Sequence, residues 1–77
     1  MTLFIVKAAL DSEAGVWYVA DSDIPGLVTE APTFDELCKK IPVMAAELLP
    51  LNGWTGSTEV PIEIIAHTTS KAKLAAA

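Results

Sequence analysis

At 77 residues, 52% of them apolar, the chain is one small domain near the size at which a single core barely suffices. The apolar surplus predicts that part of it faces another subunit. Five lysines and no arginine against ten carboxylates give a net charge of −5, which argues against direct nucleic-acid binding, since that needs clustered cations, and favours a basic protein partner.

The first predicted element is a strand over residues 2–10, an apolar and partly β-branched run. Asp11-Ser12-Glu13-Ala14-Gly15 is a short polar link ending in Gly, as in a hairpin, and residues 16–21 form the second strand. Pro25-Gly26 turns the chain again, and Gly26–Glu30 reads as a third strand. Thr33-Phe34-Asp35-Glu36 is a capping box, with two acids suited to the positive end of a helix. Phe34, Leu37, Cys38, Ile41, Met44, Ala45 and Leu48 then recur at helical spacing, predicting a helix over 34–49. Pro42 falls inside it, where it removes a donor and should kink the axis, and Pro50 with Asn52-Gly53 should end it. Residues 51–58 are a loop carrying Trp54, and Glu59–His67 alternates as a half-buried strand. Residues 1–67 are thus expected to form the domain, and 68–77, rich in Lys, Ala and Thr, a flexible tail.

The order β-β-β-α-β makes this a two-layer α+β domain. A right-handed crossover through the helix returns the last strand to lie parallel beside the first, giving sheet order 3-2-1-4. One helix covers one face only. Phe4, Val6, Ala8, Trp17, Val19, Leu27, Val60, Ile62 and Ile64 are expected beneath it. The other face then shows Leu3, Ile5, Val16, Tyr18, Val28 and Ile65, with Lys7, Glu30, Glu63 and His67 among them. An uncovered apolar patch of that kind marks an interface, so these six apolar residues are the expected self-association surface of a homodimer or higher oligomer.

Three stretches, Val16-Trp17-Tyr18-Val19-Ala20, Asp23-Ile24-Pro25-Gly26-Leu27 and Thr33-Phe34-Asp35-Glu36-Leu37, follow one another in fixed order. In that order they resemble the HicB-like antitoxin family, a partial ribonuclease-H-like fold, over residues 3–67. The resemblance implies a non-catalytic domain that neutralises a small basic ribonuclease of the HicA type by covering its catalytic surface. Family antitoxins commonly continue into a C-terminal DNA-binding segment. About ten residues follow the last strand here, too few for one, so the chain is similar to a short, stand-alone branch of unassigned function. Asp21, Asp23, Glu30 and Glu63, with aromatic support from Tyr18 or Trp54, are the residues expected to meet a basic partner. The alternative is an orphan structural protein whose only partner is itself.

No catalytic, metal or cofactor site is expected. Asp21, Asp23 and Glu30 invite a metal-nuclease reading, which needs carboxylates converging on one point, but Asp21 and Asp23 flank a turn, where Asp commonly bonds local backbone N–H groups. His67, the single histidine, has no acid–base partner at recognisable spacing and reads as a solvated strand-end residue. Cys38, the single cysteine, forms no internal disulfide and lies on the apolar helical stripe, which argues for burial over nucleophilic use. Trp17 reads as core. The N-terminus lacks a basic leader region, and no run approaches the roughly 18 apolar residues of a membrane span. A cytoplasmic protein without a membrane partner is the expectation.

Overall fold

The computed structural model describes residues 3–75. Four strands and one helix follow in the order β1 (Phe4–Asp11), β2 (Val16–Ser22), β3 (Glu30–Ala31), α1 (Phe34–Leu51) and β4 (Ile62–His67). They form one sheet in the order β3-β2-β1-β4, with β4 parallel to β1 and the other pairs antiparallel. The α+β topology is the one the sequence predicts.

Asp11 sets the first hairpin. Its Oδ1 accepts from the backbone N–H of Glu13 and of Ala14, each at 3.1 Å, and its carbonyl accepts from Gly15 at 2.8 Å. Between β1 and β2 the register runs Ala8 opposite Val19, then Lys7 opposite Asp21 and Val6 opposite Ser22. Ala20 is therefore a bulge, an extra residue on β2 with no counterpart on β1. Simple alternation from Trp17 and Val19 would turn Asp21 toward the helix. The bulge turns it the other way.

The third strand is shorter than the sequence predicts, because Gly26–Val28 turns away from β2 and Thr29 gives it a single bond, its carbonyl accepting from the Val19 N–H at 3.2 Å. Gly26 takes φ +83°, the left-handed region, and the Leu27 N–H donates to the Ile24 carbonyl at 3.3 Å, closing a turn. Leu27 and Ile24 both plug the core from that turn. The last strand starts three residues later than expected, at Ile62, with the Pro61 carbonyl accepting from the Phe4 N–H at 3.1 Å to open the parallel ladder.

The helix begins where its cap predicts. Thr33 is extended, its side chain accepts from the Glu36 N–H at 3.1 Å, and Asp35 and Glu36 occupy the first turn. Leu37, Ile41, Ala45 and Leu49 form its buried stripe and close over Val6, Ala8 and Ala31 of the sheet. Pro42 and Pro50 both lie inside one continuous helix. Pro42 is exposed, so the carbonyl one turn back that loses its donor can turn to water, while Ile41 and Ala45 hold the segment to the sheet. Pro50 does not end the helix; Asn52 does. Its N–H reaches the carbonyls of Leu48 and Leu49, and its side chain donates to the carbonyls of Leu48 and Pro25, tying the helix end to the Pro-Gly corner. On the far side Lys40 Nζ donates to the Glu30 carbonyl at 2.8 Å, tying the helix to β3.

The inner face is as expected. Phe4, Trp17, Val19, Val60, Ile62 and Ile64 pack against the buried cluster, with Trp17 and Phe34 ring to ring at 5.3 Å. Residues 68–75, the described part of the expected tail, are exposed at every position. Ala76 and Ala77, like Met1 and Thr2 at the expected start of the first strand, lie outside the described residues. The radius of gyration is 15.6 Å, against about 11 Å for a compact chain of this length.

Candidate protein-binding face

The ladders fix which side chains share the uncovered face. Residues paired across a sheet point to the same side. Ile5 stands beside Glu63; Lys7 stands between Ile65 and Asp21; Ala9 stands between His67 and Tyr18, with Glu30 beyond Tyr18; Val16 stands beside Asp11. The face is thus an apolar band of Ile5, Ala9, Tyr18 and Ile65 set among acids, with one lysine near its centre. Tyr18 is 39% exposed and Ile65 40%, while Ile5 and Val16 are half-buried by their neighbours alone. Leu3 leads directly into β1 and is 49% exposed, and Val28 projects at 83% exposure from the loop before β3.

The carboxylates differ in how free they are. Asp23 is held within the fold. Its Oδ2 accepts from the Ile5 N–H at 2.9 Å while its own N–H donates to the Ile5 carbonyl at 3.0 Å, closing the start of β1. Asp21 Oδ1 accepts from the adjacent Ser22 N–H at 3.0 Å and remains exposed opposite Lys7. Among the described residues no three of His, Cys, Asp and Glu converge in a way that could hold a metal ion. Trp54 is not brought to this face. It lies at the helix end with its ring edge-on to Phe4 at 5.6 Å, and its Nε1 donates to the Ser57 carbonyl at 3.0 Å. The structure therefore gathers Tyr18, Asp21, Glu30 and Glu63 on one surface and separates Trp54 from them.

Sequence reasoning did not reveal a polar hollow at one end of this face. It measures about 370 Å³ and is lined by Leu10, Ser12, Tyr18, His67, Thr68 and Thr69 among others. Pairing of Ala9 with both Tyr18 and His67 creates it, and only the register, not the spacing, discloses that. His67 is exposed at the strand end as predicted. Cys38 is half-buried; burial pushes its thiol pKa up, and the Asp35 carboxylate adds to the shift. Such a thiol stays protonated near neutrality and is a poor nucleophile. No helix among the described residues is long and apolar enough to cross a membrane.

Residues 3–76 match the family described as a domain of unknown function, DUF1902. Among solved structures the chain is similar to the hypothetical protein TTHA1013 from the extremely thermophilic bacterium Thermus thermophilus, at 41% identity and a TM-score of 0.71. The similarity covers 95% of this chain and 100% of that one. No curated protein matches.

Proposed function

The chain belongs to the DUF1902 family, and from that premise we propose that it is a non-catalytic protein-binding domain whose uncovered sheet face occludes a small basic protein. The observation that carries the reading is the composition of that face. Ile5, Tyr18 and Ile65 supply an apolar band around Lys7, and Asp21, Glu30 and Glu63 supply an acidic surround on a chain of net charge −5. That is the arrangement of an interface with a desolvated core and a steering rim. The HicB-like resemblance makes the occupant a ribonuclease of the HicA type, acting in the cytoplasm. Inhibition is then steric and electrostatic, with no turnover by this chain.

A pull-down with the tagged chain from its native host, bound proteins being identified by mass spectrometry, tests this. Stoichiometric capture of one small basic protein, lost on Ile5→Asp, supports the reading. Recovery of the untagged chain alone makes self-assembly the function and leaves the HicB-like resemblance as one of fold.

A further inference from the structure

Among the described residues the outer edge of β4 has no neighbour in the sheet, and it carries few of the devices that keep edges apart. Ile62–His67 contains no lysine, no proline and no bulge, and a single acid, Glu63. Pro61 stands just before it, but it does not blunt the edge. Its carbonyl bonds the Phe4 N–H, so the backbone groups of residues 61, 63, 65 and 67 face β1. Those of Ile62, Ile64 and Ala66 face outward. Beyond His67 the exposed residues 68–75 have no backbone or side-chain hydrogen bond to the rest of the described chain. Yet the family match extends through them, to residue 76.

We propose that this edge and the segment after it pair antiparallel with the same strand of a second copy, Ile65 of one copy standing opposite Ile65 of the other. Two constraints select the partner and the register. For the helices to stay on one side of a continuous sheet, a residue and its opposite must share a face, which allows only pairings of even with even or odd with odd. Among those, centring on Ile65 sets Glu63 of each copy opposite His67 of the other. Centring on Ile64 instead sets Glu63 opposite Ile65, and leaves both the acid and the apolar side chain mismatched. The edge is thus complementary to itself in one register, with cross-strand pairs of the kind that stabilise sheets.

In that register Ile62 exchanges backbone hydrogen bonds with Thr68, and Ile64 with Ala66, so the start of the exposed segment becomes ladder. On the helix side, the pairing covers the flanks of Ile62 and Ile64, which are only half-buried in one chain. The product is a two-fold dimer with eight strands in one sheet, both helices on one side and both uncovered faces joined on the other. The interface is the β4 edge, with Glu63, Ile65 and His67 of the uncovered face lining its seam, and the inference stands whether or not that face binds a basic protein.

Disulfide trapping of the full chain reads the register directly. Opposed residues 65 form a non-hydrogen-bonded pair with Cα atoms about 4.5 Å apart, within the disulfide range. Ile65→Cys in a Cys38→Ala background should oxidise to a covalent dimer. His67→Cys in the same background should not, because the two copies of residue 67 lie about 13 Å apart, four residues along the strand. Trapping at 67 but not at 65, or at neither, overturns the proposal. A second measurement is native mass by light scattering. The residue 66 N–H points outward, so Ala66→Pro removes a donor from the dimer ladder and none from the ladder with β1. It should halve the native mass and leave the far-ultraviolet circular dichroism unchanged. A wild-type chain that is monomeric at every accessible concentration overturns the proposal, as does a dimer that survives Ala66→Pro and dissociates on Ile5→Asp.

Discussion

Asp21 and Asp23 stand two residues apart and do different work. The Asp23 carboxylate joins the turn after β2 to the first residues of β1 through Ile5. Asp23→Ala should therefore destabilise the domain by about 1 kcal/mol, the usual net value of such a hydrogen bond, measured by urea unfolding. Asp21→Ala should change stability by less than about 0.5 kcal/mol, as exposed positions do, and should instead slow association with a basic partner. Spacing in the sequence shows two acids near a turn; which of them is committed to the backbone depends on an amide 18 residues away. Cys38 gives a further test at this scale. Its thiol pKa is raised by burial and by Asp35, so folding favours the protonated form. That contribution is present below the unfolded thiol's pKa and is lost as pH rises through the folded value, so stability should fall in the alkaline range. At pH 8, alkylation of Cys38 should be slower in the folded protein than in urea, and equal rates would contradict the shift.

The helix is the element whose beginning was most legible and whose end was least. Thr33 and the acids after it predict the start, and Thr33→Ala should cost about 1 kcal/mol through the lost cap, again by urea unfolding. Pro42 and Pro50 suggest a kink and a stop. Neither breaks the helix, because tertiary packing of Ile41, Ala45 and Leu49 outweighs the local preference, and Asn52 supplies the true end. Pro42→Ala should accordingly raise stability by about 1–2 kcal/mol, the helix gain less the entropy returned to the unfolded chain. A thermal midpoint that does not rise would mean that the ring of Pro42 packs usefully. Sheet order and the inner face were readable from alternation and from the handedness of the crossover. The two-residue β3 was not, since Leu27 alternates as a strand residue would but enters the core from a turn. Nor was the bulge, which has no signature in Val16–Ser22.

At the scale of the molecule, one helix against four strands leaves a face to be covered from outside, and Ile5 belongs to its apolar band. Ile5→Asp should abolish capture of a basic partner while the chain remains folded, as circular dichroism would show. Association should slow steeply with added salt if the acids steer it, and salt-independent rates would assign the binding to the apolar centre alone. Two such faces joined across a β4–β4 seam would present one partner site per copy on a shared surface, with Ile65 at the seam. The bulge at Ala20 has a consequence for how such a surface persists in descent. Removing the Ala20 codon would leave Lys7 opposite Asp21 and Val6 opposite Ser22 in an unbroken ladder, with no side chain turned over. Closing the bulge without losing a residue would drive the Asp21 carboxylate into the core beside Val6. Length along β2 can therefore shrink by one codon at that point while register is locked by a charge, so deletion of Ala20 should leave the fold and its far-ultraviolet circular dichroism intact.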